Sequence, residues 1–423
     1  MAKNKFYWRK LDDQAKVFAL ASSEHYSSIF RLSVILKEKI DEEILQKALN
    51  LVIYKYKVFK VKMKKGLFLY YLEANTDQSI VTIENEYPFN RVNTKKNNNY
   101  LFKVTYFENK INIDFFHVLT DANNGEEFFK DLIYVYLDLK YKGETNVELL
   151  NEIVQESENA YRKNYKKHMK KSDVPKKAYQ LKGKSLSEGV IGINHFYINL
   201  EELKKHSKAK DSTISMYLIA MIVYSIYEEN YKINKGKKPI NICVPINLKK
   251  YFETDTKSNF FSYMMVSLEL KDNKKYTFNI ILEMVKKEFQ KKLKLKKMVE
   301  TISVDAGKTS NPFIRIVPLF IKKFAVRLGS LDVKKNFTMT FSNIGRFDIK
   351  EEYKNYIEDF MVVLGPDWAE KIKCGVCSYG NNLVVTFSSK LCDTKIESKF
   401  KKALEENNIN YQIKGNGVNV IPD

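Results

Sequence analysis

The chain has 423 residues, 44% of them hydrophobic, with 27 Tyr and 27 Phe, which is enough apolar side chain to fill globular cores and argues against a disordered chain. Its formal net charge is +21, yet only seven of its 72 basic residues are arginines and the lysines are scattered among Asn, Ile and Tyr. With no groove-reading motif beside that charge, nucleic-acid binding is not expected, and a basic rim attracting an acidic partner or a phosphorylated co-substrate fits better.

The N-terminal residues lack an apolar signal core. The longest apolar stretch, Ile214 to Ile226, is interrupted by Ser215, Ser225 and tyrosines and falls short of the ~20 residues that span a bilayer. It is expected to be a buried central helix of a cytoplasmic chain. At this length two lobes are expected, residues 1–185 and 186–423.

The first strand is expected over 27–36, followed by a helix capped by Asp41 and running to about Lys55. Strands near 58–64 and 67–73 form a hairpin at Lys65–Gly66, and strands near 100–107 and 110–117 turn at Glu108–Asn109. In the last of these, Ile111, Ile113, Phe115 and His117 share one face, with Asn112 and Asp114 on the other. His117 therefore ends an apolar face beside a loop. An imidazole there has a pKa suited to base work at neutral pH, although a satisfied structural histidine is the commoner occupant of such a place.

Asp121 lies in the turn that follows. Asn124, with Glu127 at capping-box spacing, is expected to cap a helix to about Leu139 that buries Phe128, Phe129, Leu132, Ile133, Tyr136 and Leu137. Residues 140–188 are polar, lysine-rich and punctuated by Pro175 and Gly183, and read as a segment crossing between lobes.

The second half is expected to hold a strand near 190–199, helices near 199–207 and 212–231, and strands at 240–244 and 260–270. Helices near 275–297 and 311–329 follow, then strands near 336–343, 357–364, 371–379 and 382–389 and a helix from about 394 to 407. Both halves thus read as α+β, with mixed sheets and flanking helices. The segment 311–331, with Arg315, Lys322, Lys323 and Arg327 among Phe, Ile, Val and Leu, fits either a packed amphipathic helix or a helix lying on a membrane. Cys374 and Cys377 form a C-x-x-C without a second pair or a nearby His. They are expected to be buried strand residues, with no metal site and no disulfide framework.

His117-Val-Leu-Thr-Asp121, preceded by a strand and followed by a helix, resembles the HxxxD motif of the CoA-dependent acyltransferase superfamily, which includes chloramphenicol acetyltransferase, bacterial alcohol acetyltransferase-like proteins and condensation domains. Further segments are similar to theirs: Phe30-Arg31-Leu32 with the Asp41 helix, Cys243 to Phe252 with Asn259 to Tyr263, Thr338 to Gly345, and Cys374 to Leu383. The resemblance implies two lobes with an active-site channel between them and His117 as general base. It implies transfer of an acyl group from acyl-CoA or an acyl carrier to a hydroxyl, or to an amine, and leaves the acceptor open among a small alcohol, a lipid, a sugar and an amine. No tightly bound cofactor is implied.

It further implies that Ser342, Thr340 and Asn343 hold the oxyanion or the substrate, and that Asp121 forms a structural pair with an arginine, expected to be Arg31. The chain departs from the family pattern at Phe116, where many members have a second His, and at Ala122, where Gly is usual and a left-handed backbone would be strained. Those departures motivate an alternative, a catalytically degenerate relative that binds a carrier protein or ligand.

Overall fold

The computed structural model describes residues 8–22, 28–89, 97–146, 148–154, 158–166, 176–231, 237–271, 274–310 and 312–422. Strand β1 (Trp8–Lys10) and helix α1 (Asp13–Ala21) precede β2 (Ile29–Leu36), α2 (Glu42–Lys55), the hairpin β3 (Val61–Lys65) and β4 (Tyr70–Ala74), and the short β5 (Val81–Ile83). Strands β6 (Phe102–Phe107) and β7 (Lys110–Phe116) then lead into α3 (Ala122–Lys142), with short helices α4 (Glu148–Asn151) and α5 (Ala160–Lys163) after it.

The second half runs β8 (Gly192–Asn199), α6 (Leu200–Lys208), α7 (Ile214–Ile226), β9 (Ile240–Asn247), β10 (Phe261–Leu268), α8 (Phe278–Lys292), α9 (Leu295–Ser310), α10 (Pro312–Ile316) and α11 (Leu319–Lys334). It ends with β11 (Met339–Arg346), α12 (Glu351–Lys354), β12 (Ile357–Leu364), β13 (Ile372–Tyr379), β14 (Asn382–Ser389), α13 (Lys395–Glu406) and β15 (Tyr411–Gly415). The expected crossing segment is described only in part, Pro175 lying outside the described residues, as do Ser27 of the first expected strand and Asn311 of the 311–331 segment.

Alternation of apolar residues sorts the long strands into two mixed sheets. One has the order β12-β2-β7-β6-β5, and the other β10-β9-β11-β13-β14-β8-β15, with β11 parallel to both of its neighbours. A small antiparallel sheet, β1-β4-β3, flanks them. Helices α2 and α3 close one core over the first sheet, and α7 with α8 closes another over the second. Helix α7 is the expected buried central helix, since Tyr217 to Val223 are all buried. The chain is therefore α+β with two cores, as its patterning implied.

The expected lobe boundary does not separate the sheets, because β12, from the second half, forms the edge of the first sheet by pairing along the whole of β2. Strand β13 lies close beneath it. A Cβ on Gly375 would come within 2.5 Å of the Val362 carbonyl oxygen, so only glycine lets the two strands approach this far. Three residues apart on a strand, Cys374 and Cys377 point to opposite faces and enter different cores. Their thiols are pushed well up by burial, and no group of metal-ligating side chains occurs among the described residues.

Candidate active site

Strand β7 ends at Phe116, and His117 begins the turn into α3. The imidazole is held in an aromatic box. Phe18 of α1 stacks on it at 4.9 Å between ring centroids, Phe30 of β2 lies at 4.7 Å and Phe261 of β10 at 5.8 Å. Its main chain is fixed on both sides, the amide donating to the Ser28 carbonyl at 2.8 Å and the carbonyl accepting from Asn259 Nδ2 at 2.8 Å. Burial pushes the imidazole pKa down to about 4, helped by the nearby Lys373 cation, while Asn259 and the Thr120 backbone act the other way. His117 is thus neutral at physiological pH. Nδ1 is enclosed, with the Asn259 side chain and the Thr120 backbone near the ring, and the imidazole lines the adjoining cavity.

Asp121, not Asn124, caps α3. One carboxylate oxygen accepts from the Asn124 amide at 3.2 Å and the other from the Phe260 amide at 2.8 Å, across to the second half of the chain. Asn124 instead donates its side-chain amide to the Ser258 carbonyl at 2.8 Å, and Thr120 Oγ1 donates to the Lys257 carbonyl at 2.9 Å. Asn259 is held by the buried Asp12 carboxylate, which also caps α1 and is raised to about 6 by burial. Residues 120–124 and 257–260 are therefore fastened together directly beneath the imidazole.

The expected pairing of Asp121 with Arg31 is not formed. Arg31 and Asp114 are direct cross-strand partners of β2 and β7, on the sheet face opposite to His117, and the guanidinium grips Asp114 with two bonds of 2.7 and 2.8 Å while also pairing with Glu84. It serves the back of the sheet. Burial raises the Asp121 carboxyl, and its hydrogen bonds to Phe260 and Asn124 together with the Lys249 cation oppose that shift. Ala122 is an ordinary first helical residue, so the departure there leaves the turn unstrained. The glycine that the turn needs is Gly125, where a Cβ would meet the Phe115 ring at 3.0 Å.

Strand β11 lines a cavity of about 1370 Å³ that His117 and Asp121 also line. A register shift between Asn343 and Gly345 re-aims its end, as bulges beside sites do. Ser342 lines the cavity with a hydroxyl that makes no protein hydrogen bond among the described residues. Thr340 differs, since its hydroxyl proton is given to Glu370 Oε1 at 2.6 Å. Asn343 is spent on Ser215 Oγ and on the Gly345 amide, which bracket its side chain.

Sequence patterning did not point to Glu370 and Lys373, which line the same cavity in a buried ionic cluster with Asp367 and Lys334. Lys373 Nζ lies 3.6 Å from both acids. Burial lowers Lys334 to about 8 and raises Glu370, while the two lysines hold Asp367 low against its own burial. One cavity is thus lined by a neutral imidazole, a free hydroxyl and a lysine. That is a layout for moving a proton and stabilising a developing oxyanion.

Comparison with solved structures shows the same fold across nearly the whole chain. Polyketide synthase associated protein 5 from Mycobacterium tuberculosis aligns with a TM-score of 0.59 and 12% identity, covering 94% of this chain and 96% of its own. A trichothecene 15-O-acetyltransferase from Fusarium sporotrichioides aligns with a TM-score of 0.58 and 11% identity, covering 92% of each chain. The starter condensation domain of rhizomide synthetase, in complex with C8-CoA, gives 0.58 and 12%, covering 94% of this chain and 93% of that one. No family model matches the sequence, and no curated protein matches it. The fold is that of the acetyltransferases and condensation domains, as the HxxxD resemblance implied.

Proposed function

We propose that the chain transfers an acyl group from a pantetheine thioester to a hydroxyl, with His117 as general base. The observation that carries this reading is the neutral imidazole boxed by Phe18, Phe30 and Phe261, which lines one cavity together with the unbonded Ser342 hydroxyl. With the ring proton on Nδ1, Nε2 takes the proton of the acceptor hydroxyl as its oxygen forms a bond to the thioester carbonyl carbon. The carbonyl oxygen becomes an oxyanion, which Ser342 Oγ meets with its hydrogen while Lys373 supplies positive potential behind it. The C–S bond then breaks, and the imidazolium gives its proton to the departing sulfur. Ester and free thiol result.

The depressed pKa suits the second half of this cycle. An imidazolium with a pKa of about 4 is a strong acid beside a thiolate whose conjugate acid lies near ~8.5, so the proton return runs downhill. Acyl-CoA and an acyl carrier share the thioester, and the surplus positive charge suits the phosphates of the one and the acidic surface of the other. In support of CoA, the rhizomide synthetase neighbour was solved with C8-CoA.

The test is thiol release and product mass with a panel of acyl-CoAs and alcohols. His117→Ala should lower the rate by roughly 100- to 10,000-fold. Full rate in that variant with a genuine substrate would overturn the base assignment.

A further inference from the structure

Helix α11 is apolar on two faces at once. Leu319 and Val326, seven residues apart, line the cavity from inside, and Leu319 is buried. On the outer face Phe320, Phe324 and Leu328, spaced by four, are 68%, 67% and 53% exposed. One apolar face of a surface helix packs inward, and a second one turned outward calls for a covering partner. The tip of the β3–β4 hairpin lies against it, the Leu319 amide donating to the Leu67 carbonyl at 2.9 Å and Lys322 Nζ to the Phe68 carbonyl at 2.8 Å. Leu67 is itself 72% exposed, and Ile316 of α10 adds another exposed apolar side chain.

Charge around this patch is mainly positive, with Glu73 of β4 and Asp332 of α11 at its edges. Residues 57–72 and 312–331 contain nine lysines and arginines and no aspartate or glutamate. From these observations we infer that α10, α11 and the hairpin tip dock on an anionic lipid bilayer, the Phe, Ile and Leu side chains entering the headgroup boundary and the cations meeting lipid phosphates. An acidic protein would satisfy the lysines but leaves the outward Phe320 and Phe324 rings without a matching apolar surface. The cavity opens within the patch, since Phe68, Ile314, Arg315 and Lys322 line it as well. Resting on the acyl-transfer reading, this makes one substrate a membrane-resident amphiphile that enters without crossing water. The docking itself stands apart from that reading.

The experiment is flotation of the full chain with phosphatidylcholine vesicles, with and without phosphatidylglycerol. The chain should float with the anionic vesicles. Phe320→Asp with Phe324→Asp, neither residue lining the cavity, should weaken binding at least about 100-fold, each buried ring being worth tenfold or more. Leu67→Glu on the hairpin gives a second variant in case the helix variant does not fold by circular dichroism.

The inference is overturned if the chain stays with the soluble fraction, or if both variants float like the parent, which would assign binding to diffuse positive charge. It is overturned too if the patch captures an acidic carrier protein but no vesicles. Thiol release with a water-soluble alcohol, in buffer without vesicles, should be unchanged in Phe320→Asp/Phe324→Asp. Vesicle binding without transfer to any acceptor would leave the docking intact and sink the acyl-transfer reading alone.

Discussion

Replacing Asp121 by Ala removes two bonds of different kinds. The first is the cap on α3, worth about 1 kcal/mol. The second is the bond from the Phe260 amide, a buried donor to a carboxylate, worth about 1.5 to 3 kcal/mol. Together the loss comes to roughly 2.5 to 4 kcal/mol. Spread over a cooperative unit of about half the chain, whose unfolding entropy is about 2.1 cal/mol/K per residue, that lowers Tm by roughly 5 to 9 °C.

Asp121→Asn separates the two parts. Asn is as good a cap as Asp, so the first contribution remains, but its amide nitrogen is a donor that faces the Phe260 N–H, and that bond is lost. Its Tm should fall roughly two thirds as far as that of the Ala variant. Because Asn259, next to Phe260, holds the His117 carbonyl, activity should fall in both variants in the same order as stability. Urea and thermal unfolding followed by circular dichroism, with thiol release on the same samples, measure both. An unaltered urea midpoint in Asp121→Ala would refute the claim that this carboxylate fastens the two halves beneath the imidazole.

The acid limb of kcat/KM should lie near pH 4 rather than at an ordinary histidine value near 6.5, because protonation silences the base and burial delays that protonation. A limb near 6.5, with the fold intact by fluorescence, would contradict the enclosed imidazole. Ser342→Ala should lower kcat about 100- to 1,000-fold with KM little changed, as loss of an oxyanion donor does, whereas an unchanged turnover would remove it from that role. Gly375→Ala forces a Cβ against the Val362 carbonyl and should cost about 1 to 3 kcal/mol in urea unfolding; a stability equal to the parent would show that β12 and β13 can part without strain.

Local pattern carried the reading as far as local physics reaches. Alternation along 111–117 placed His117 on an inward face, and a continuous apolar run marked α7 as central. What failed was pairing between distant elements. The resemblance pairs Arg31 with Asp121 of the motif, but strand parity puts its side chain on the face of Asp114. Asp121 and Asn124 are both competent caps, and what decides between them is the Ser258 carbonyl that takes the Asn124 side chain. Helix α1, which supplies Phe18 to the imidazole, is only nine residues long and was missed for want of a period. Glu370 and Lys373 sit more than 250 residues beyond His117, in a stretch whose spacing suggests nothing until β11 and β13 lie side by side.

Because β12 completes the edge of the first sheet, the order of synthesis matters to this protein. A ribosome making about 5 to 20 residues per second needs on the order of 10 to 50 seconds to pass from the His117 turn to the end of β12. Through that interval β2 has an open edge, rich in Ile, Phe, Leu and Val, of the kind that recruits foreign strands. Cutting the chain near residue 185 would make the vulnerable intermediate permanent. Such a fragment should aggregate when expressed alone, and should be rescued by co-expressing the remainder, since the missing strand is supplied from there.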